Sequence, residues 1–290
     1  MPITGKTALV LCGGGSRGSL QIGLYRALTE LGINIDLIVA TSVGAINGAF
    51  IAAGASPKEL GYLWESVSPH DLYQINRQLL FRPFRAESLL DNRRLGNFLM
   101  RHLPVLHFED LRIPLLIGAT HLQTGEPVWF REGELITPLL AASAMPGLFP
   151  PVDIGGRQLI DGGISNNVPL DMALKLGAQT VICMLCICCE RIPYPVHGWV
   201  NNLIYSFSIA VDRKYRADAH HYQNKARLIV IEPHNGMDVG MLDFSHTGEL
   251  IELGYRHAME TLTGLGEKNK CDTKQTLSSD PSTSTTQGSG

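Results

Sequence analysis

The stretch TALVLCGGGSRGSLQIGLYRAL, residues 7–28, decides how the fold begins. An apolar run of strand length meets three glycines, and the residues that follow repeat apolar side chains with a helical period. A strand that passes through a glycine-rich turn into a helix is typical of parallel α/β sheets. The turn gathers backbone N–H groups at a helix start. It therefore suits either the phosphate of a cofactor or the oxyanion of a reaction intermediate.

The same alternation continues along the chain. IDLIVA (35–40) is a second strand and a helix of small residues follows it, after which Ser56, Pro57 and Glu59 form a capping box. Further strands are expected at 113–122, 127–130 and 227–232, and a helix at 86–103. This order predicts an α/β fold with a mainly parallel central sheet and helices on both faces. We expect one catalytic domain over residues 1–265 and a disordered polar tail over 266–290.

Composition narrows the range of functions. The 290 residues carry a net charge of −3, so no basic surface argues for nucleic acid. Residues 37–55 lack charge, but polar residues and glycines interrupt them, which favours a buried strand and helix over a membrane span. The N-terminus reaches glycines too soon for a secretory signal, so we expect a cytoplasmic protein. Export without a signal sequence stays an open alternative.

Four of the six cysteines fall in CMLCICC, residues 183–189. Cys183 and Cys186 have the spacing of a metal or redox pair. In a strand, however, positions three apart point to opposite faces, so the pair is not expected to converge on a metal. We interpret the group as mostly buried, reduced thiols.

The segment ATSVG, residues 40–44, bears on the choice between phosphate and oxyanion. A dinucleotide site needs an acidic residue at the carboxyl end of the second strand, where it binds the ribose. Asp36 lies instead at the beginning of that strand. Ser42 instead occupies a sharp strand-to-helix turn, where a nucleophilic serine would be exposed beside the helix N-terminus. The simpler alternative is that Ser42 only caps the helix.

A base for Ser42 is available in RQLIDGGISNNVPL, residues 157–170. Asp161 ends a short strand, and two glycines let the chain turn away from it. A solvated aspartate is a weak base at neutral pH, but burial would raise its pKa, and a short hydrogen bond would permit direct proton transfer. The alternative is an ordinary turn aspartate.

Taken together, these segments resemble the patatin-like phospholipase family. The glycine-rich loop Gly13–Gly18, the elbow Ala40–Gly44 and the Asp161–Gly163 turn correspond to its three motifs, in order and at similar spacing. ASAMPGLFPPV before Asp161 and SNNVPL after it are also similar to the family. One departure is Ala40, where the family usually has glycine, which adds a methyl group between strand and helix.

The resemblance implies a lipid acyl hydrolase of the phospholipase A or lysophospholipase type. Ser42 would be the nucleophile and Asp161 the base, without a metal or cofactor, and the substrate would be a lipid or another acyl ester. Four residues would form the oxyanion hole: Gly13, Gly14, Gly15 and Ser16. Six more would support the motifs: Arg17, which we expect to fix the loop, with Gly18, Ala40, Gly44, Gly162 and Gly163.

Three alternatives stay open: a Ser-Asp-His triad esterase using His234, a nucleotide-binding module, and an inactive lipid-binding relative. An acyl substrate also needs an apolar channel, for which the segment 68–110 is a candidate. Two apolar groups are candidates for peripheral contact with a membrane surface. They are Leu79, Leu80, Phe81 and Phe84 in the first group, and Trp199, Leu203 and Tyr205 in the second.

Overall fold

The computed structural model describes residues 5–77, 81, 86–187, 195–233 and 239–264. The strands in this part of the chain are β1 (Thr7–Leu11), β2 (Leu37–Thr41), β3 (Gln74–Ile75), β4 (Leu90–Asp91), β5 (Leu115–His121), β6 (Pro127–Phe130), β7 (Val152–Ile154), β8 (Arg157–Asp161), β9 (Thr180–Met184) and β10 (Arg227–Ile231). The helices are α1 (Ser19–Glu30), α2 (Val43–Ala52), α3 (Pro57–Ser66), α4 (Pro69–Leu72), α5 (Arg93–His102), α6 (Ile136–Ala142), α7 (Gly163–Asn166), α8 (Leu170–Lys175), α9 (Trp199–Tyr222) and α10 (Thr247–Leu262).

The central sheet has the strand order β10-β9-β1-β2-β5-β8-β7, and β6 also pairs with β5. The five strands from β10 to β5 run parallel, whereas β6, β7 and β8 add antiparallel pairs. The mainly parallel sheet is therefore confirmed. Because β1 and β2 are parallel neighbours, the turns that follow them lie side by side at the carboxyl edge of the sheet.

Helices cover both faces of this sheet, as the alternation of strand and helix predicts. On β1, Leu9 and Leu11 belong to the core shared with α1, α2, α3, α5, α6 and α10. Ala8 and Val10 face the other core, which α8 and α9 cover. Strand residues buried on both faces are the reason these segments read as continuous apolar runs.

The local capping signals are also confirmed. Ser56 and Glu59 form the reciprocal capping box at the start of α3, with Pro57 at its first position. The helix expected over residues 86–103 is wrong in its first part, because α5 begins at Arg93. The main-chain N–H groups of Leu89 and Leu90 donate to the carbonyls of residues 147 and 148, so pairing with a distant segment overrides the local pattern.

Cys183 and Cys186 are buried free thiols, as expected, whereas Cys188 and Cys189 lie outside the described residues. The prediction that Cys183 and Cys186 point to opposite faces of the strand is wrong. Both belong to one apolar cluster with Cys12, whose Sγ accepts a hydrogen bond from the Cys186 N–H at 3.3 Å. The reason is that β9 ends at Met184, so strand alternation does not extend to Cys186.

The described residues contain neither a cluster that could hold a metal nor a helix that could span a membrane. No group of three or more His, Cys, Asp or Glu side chains in this part of the chain is placed to hold a metal ion. Across the same residues, no helix combines the length and apolar character that crossing a bilayer requires.

Candidate active site

Ser42 occupies a strained turn between β2 and α2. Its backbone has φ 54° and ψ −137°, and among the described residues it is the only non-glycine residue with positive φ. Such strain is typical of a nucleophile elbow, which turns the side chain out of the sheet edge. Gly44 permits the tight turn, because a Cβ on it would lie 2.3 Å from the carbonyl oxygen of Leu11. Ser42 stands at the N-cap position, yet its side chain makes no capping bond.

The Ser42 hydroxyl donates instead to Asp161, with 2.6 Å between Oγ and Oδ2. The other carboxylate oxygen of Asp161 accepts the Gly163 N–H at 2.7 Å. Asp161 is 3% exposed, and this burial raises its pKa from the ordinary value of 3.8 to about 6, against the opposing effect of the two hydrogen bonds. A carboxylate with this pKa is ionised at neutral pH and more basic than a solvated aspartate.

Main-chain hydrogen bonds fix the two residues relative to each other. The N–H groups of Ser42 and Gly162 both donate to the carbonyl of Ala142, at the end of α6. The Asp161 N–H donates to Ala144, and the Thr120 hydroxyl donates to the Asp161 carbonyl at 2.9 Å. Because β8 runs antiparallel to β5, its last residue returns to the level of Ser42.

The glycine-rich loop lies beside this pair, but its four amide groups differ in availability. The Gly13 N–H donates to Asn167 Oδ1 at 3.0 Å, and the Ser16 N–H donates to the Met241 carbonyl at 2.8 Å. In the part of the chain that the structure describes, no acceptor meets the N–H groups of Gly14 and Gly15. Of the four amide groups predicted for the oxyanion hole, those of Gly13 and Ser16 are therefore already paired, whereas those of Gly14 and Gly15 are not paired among the described residues.

Glycine is required at position 15. Its φ is +61°, and a Cβ there would lie 2.2 Å from the Met241 carbonyl oxygen. Gly15 also lines the same cleft as Ser42 and Asp161. The loop can therefore approach an atom bound to Ser42 with its backbone alone.

Residues 239–241 hold this loop from outside. In addition to the Ser16 N–H bond, the Ser16 hydroxyl donates to the Gly240 carbonyl at 2.8 Å. Arg17 Nε donates to the Val239 carbonyl at 3.0 Å, so its guanidinium fixes a loop carbonyl as expected. We call residues 239–241 the clasp. Sequence reasoning missed it, since nothing in VGM indicates contact with a loop more than 220 residues away.

Asn167 is a second residue whose part in the site was missed. Its side chain accepts the Gly13 N–H, and its carbonyl accepts the Thr41 hydroxyl at 2.9 Å. It is buried and joins the glycine-rich loop, the elbow strand and the turn after Asp161. Its position in SNNVPL, just after the aspartate motif, was the available signal.

An apolar cleft of about 880 Å³, open mouth included, begins at Ser42 and Asp161. Among its apolar walls are Leu72, Tyr73, Leu95 and Phe98, so the segment 68–110 does line a channel as expected. An acyl chain attached to a carbonyl at Ser42 would find an apolar surface here.

Ala40 fits the elbow. Its methyl group is buried between β2 and α2, facing Gly48, on which a Cβ would lie 3.4 Å away. Its φ is not positive, so alanine carries no backbone strain there. The family usually has glycine at this position. Gly48 on the facing helix leaves the space that the additional methyl group of Ala40 needs.

Of the other residues that the sequence singled out, some lie away from the site and some lie outside the described residues. Asp36 accepts the Thr7 N–H at 2.8 Å at the opposite edge of the sheet, as its position predicts. His234, Leu79, Leu80 and Phe84 lie outside the described residues, as does the side chain of Trp199. Phe81 and Leu203 are exposed, at 82% and 56%, and Tyr205 is half-buried.

Comparison with protein families gives a match to the model described as patatin-like phospholipase over residues 9–174. A similar curated protein is an NTE family protein of Mycobacterium tuberculosis, 34% identical over 187 residues. That match covers 63% of this chain and 30% of the relative. Patatin-like phospholipase domain-containing protein 7 of Rattus norvegicus is 31% identical over 183 residues, which are 62% of this chain and 14% of that protein.

Among solved structures, the crystal structure of VipD from Legionella pneumophila is similar, with a TM-score of 0.50 at 14% identity. The match covers 91% of this chain and 67% of the VipD chain. At this identity the likeness concerns the fold alone. It agrees with the mainly parallel sheet and its helical layers.

Proposed function

The chain belongs to the patatin-like phospholipase family, and from that premise we propose that it is a serine acyl hydrolase acting on lipid esters. The chain spans less than a third of the length of the Mycobacterium tuberculosis and Rattus norvegicus relatives, so the proposed activity rests on the chain's own site. The observation that carries the proposal is the 2.6 Å hydrogen bond between Ser42 and buried Asp161, made at the head of an apolar cleft.

In the first step, Asp161 takes the hydroxyl proton while Ser42 Oγ forms a bond to the ester carbonyl carbon. The carbonyl oxygen becomes negative and is stabilised by the N–H groups of Gly14 and Gly15, which have no acceptor among the described residues. The partial charge at the start of α2 acts in the same direction. The C–O bond of the ester then breaks, Asp161 returns its proton to the leaving alcohol, and an acyl-serine remains.

In the second step, water attacks the acyl-serine carbonyl and Asp161 takes the proton of the water. The second tetrahedral intermediate forms at the same two amide groups. When it collapses, the bond to Ser42 Oγ breaks, the fatty acid leaves, and the proton on Asp161 returns to Ser42. Since Asp161 must be ionised to act, we expect the rate to rise with pH through about 6 and then level off.

The test is hydrolysis of p-nitrophenyl decanoate, and of a lysophospholipid with fatty acid release as readout. We expect Ser42→Ala to lower kcat on the order of 10,000-fold or more, because the variant lacks the nucleophilic hydroxyl that forms the acyl intermediate. Ser143→Ala is the matched control. Ser143 lines the same cleft, but its hydroxyl donates to the carbonyl of Leu139, so its loss should leave activity near wild type. Equal activity of wild type and Ser42→Ala would contradict the proposal.

A further inference from the structure

Side chains of two degrees of burial line the cleft. The half-buried ones come from loops and from helices, among them Leu63, Val67, Leu72, Tyr73, Leu148 and Met241. The buried ones include Phe50, Trp64, Leu95 and Phe98. Because Ser42 lines the same cleft, a passage connects Ser42 with the space between α2, α3 and α5.

One wall of this passage is a single stripe of α2. Val43, Ile46 and Phe50 all line the cleft, and their spacing places them on one face of the helix. The stripe starts directly after Ser42, at the helix N-terminus. With a rise of about 1.5 Å per residue, Ile46 lies about 6 Å and Phe50 about 12 Å beyond Ser42 along the helix axis.

The part of the wall at Trp64 is held in place by hydrogen bonds and a ring contact. The Trp64 indole N–H donates to Asn47 Oδ1 at 2.9 Å, and Asn47 in turn donates to the Gly18 carbonyl. The ring of Phe244 lies 5.9 Å from that of Trp64, centroid to centroid. Because Asn47 and Trp64 satisfy each other, the passage presents apolar carbon to whatever enters it.

We propose that the α2 stripe selects the length of the acyl chain, with Ile46 at its middle and Phe50 at its inner end. The proposal rests on the proposed function, since the carbonyl carbon must sit at Ser42. An extended chain with C–C bonds of about 1.5 Å advances about 1.3 Å per carbon, so a passage of about 12 Å encloses about nine carbons. The preferred substrate class is then esters of medium-chain fatty acids, of about eight to ten carbons.

The experiment measures kcat/KM of wild type for p-nitrophenyl esters from two to fourteen carbons, below their micellar concentrations. Each CH₂ that enters the passage should raise kcat/KM about 4-fold, the equivalent of about 0.8 kcal/mol per buried CH₂. The rise should stop at eight to ten carbons. A profile that stays flat from four to fourteen carbons, or rises through fourteen, would overturn the proposal while leaving the proposed function intact.

Ile46→Trp places a larger side chain in the passage at about 6 Å from Ser42. Ile46 is half-buried and faces the cleft, so the variant should fold and still hydrolyse the butyryl ester. We expect its decanoyl-to-butyryl ratio of kcat/KM to fall on the order of 100-fold. Ile209→Trp is the matched control, because Ile209 is exposed on α9 and does not line the cleft. An unchanged ratio in Ile46→Trp would overturn the proposal.

A second readout does not depend on turnover. Binding of free fatty acids of four to fourteen carbons to Ser42→Ala, measured by calorimetry, should strengthen about 4-fold per CH₂ up to eight to ten carbons. Absence of ester hydrolysis with this binding profile would contradict the proposed function and support the chain-length selection. Binding without dependence on chain length would overturn the selection by itself.

Discussion

At the scale of single residues, the site combines two unfavourable features. Ser42 holds a positive φ, and Asp161 is a buried carboxylate without a cationic partner among the residues that contact it. Each costs folding free energy on the order of 1 to 3 kcal/mol. Both are needed by the proposed chemistry, since the first exposes the hydroxyl and the second makes the base stronger.

The cost of the buried carboxylate leads to a prediction about stability. The pKa of Asp161 is raised in the folded protein, so the folded state keeps its proton while the unfolded state has lost it. This group therefore stabilises the fold below about pH 4, and the contribution is lost as pH rises to about 6. Asp161→Asn cannot ionise, so the variant does not lose this stability as pH rises. Its amide can still accept a hydrogen bond from the Gly163 N–H and donate one to Ser42.

At pH 8 we expect Asp161→Asn to unfold at a higher temperature than wild type. Its free energy of unfolding should exceed that of wild type by at most about 3 kcal/mol. The difference should shrink to near zero at pH 4. Thermal unfolding at several pH values measures it. Asp110→Asn, at an exposed carboxylate, is the control and should show no such difference. A variant less stable than wild type at pH 8 would contradict the assigned cost.

At the scale of elements, the glycine-rich loop depends on partners that are distant in sequence. Three hydrogen bonds join Ser16 and Arg17 to the clasp, and Asn167 holds Gly13 from the other side. Preorganised donors stabilise an oxyanion because they need not reorient during the reaction. The clasp should therefore affect the rate more than substrate binding.

Arg17→Met keeps the aliphatic stem of the side chain and removes its hydrogen bond to Val239. We expect kcat for a short ester to fall about 10-fold, a fraction of the loss from removing an oxyanion donor itself, with KM nearly unchanged. Arg26→Met removes a surface ion pair with Glu30 and serves as control. A change confined to KM would argue that Arg17 contacts the substrate instead of fixing the loop.

Sequence patterns predicted those elements whose causes are local. The strand and helix around Gly13, the capping box at Ser56 and the turn after Asp161 follow from residues within a few positions of each other. The start of α5, the clasp and the convergence of Cys12 with Cys186 depend on contacts between distant segments. No periodicity or local propensity encodes such contacts, so these features needed the structure.

At the scale of the whole molecule, α10 packs against α1 and completes one of the two cores of the sheet. Gly23 on α1 and Gly254 on α10 allow backbone contact between the two helices, since a Cβ on either would lie within 2.2 Å of a carbonyl oxygen of the other helix. Leu250, Leu253 and Ala258 are buried against the core. Helix α10 therefore packs as part of the same unit as α1 and the sheet. We propose that residues 1–265 form the catalytic domain and that residues 266–290 form a separate polar tail.

This division predicts the effect of two truncations. A chain that ends at residue 265 should unfold within about 2 °C of the full chain and keep its activity, because it retains α10. A chain that ends at residue 246 should fail to fold cooperatively, because α1 loses its packing partner. Calorimetry of both chains measures this. A large loss of stability on removal of 266–290 alone would contradict the assignment of a tail.

The proposed function depends on Ser42 being a nucleophile that Asp161 activates. Covalent labelling with a fluorophosphonate tests this assignment, because the probe reacts with an activated serine and forms a stable adduct. We would compare wild type with Ser42→Ala, Asp161→Ala, His234→Ala and the control Ser143→Ala. Labelling of wild type, His234→Ala and Ser143→Ala, but not of the other two, is the expected result. Labelling of Ser42→Ala, or its loss in His234→Ala, would contradict the claim.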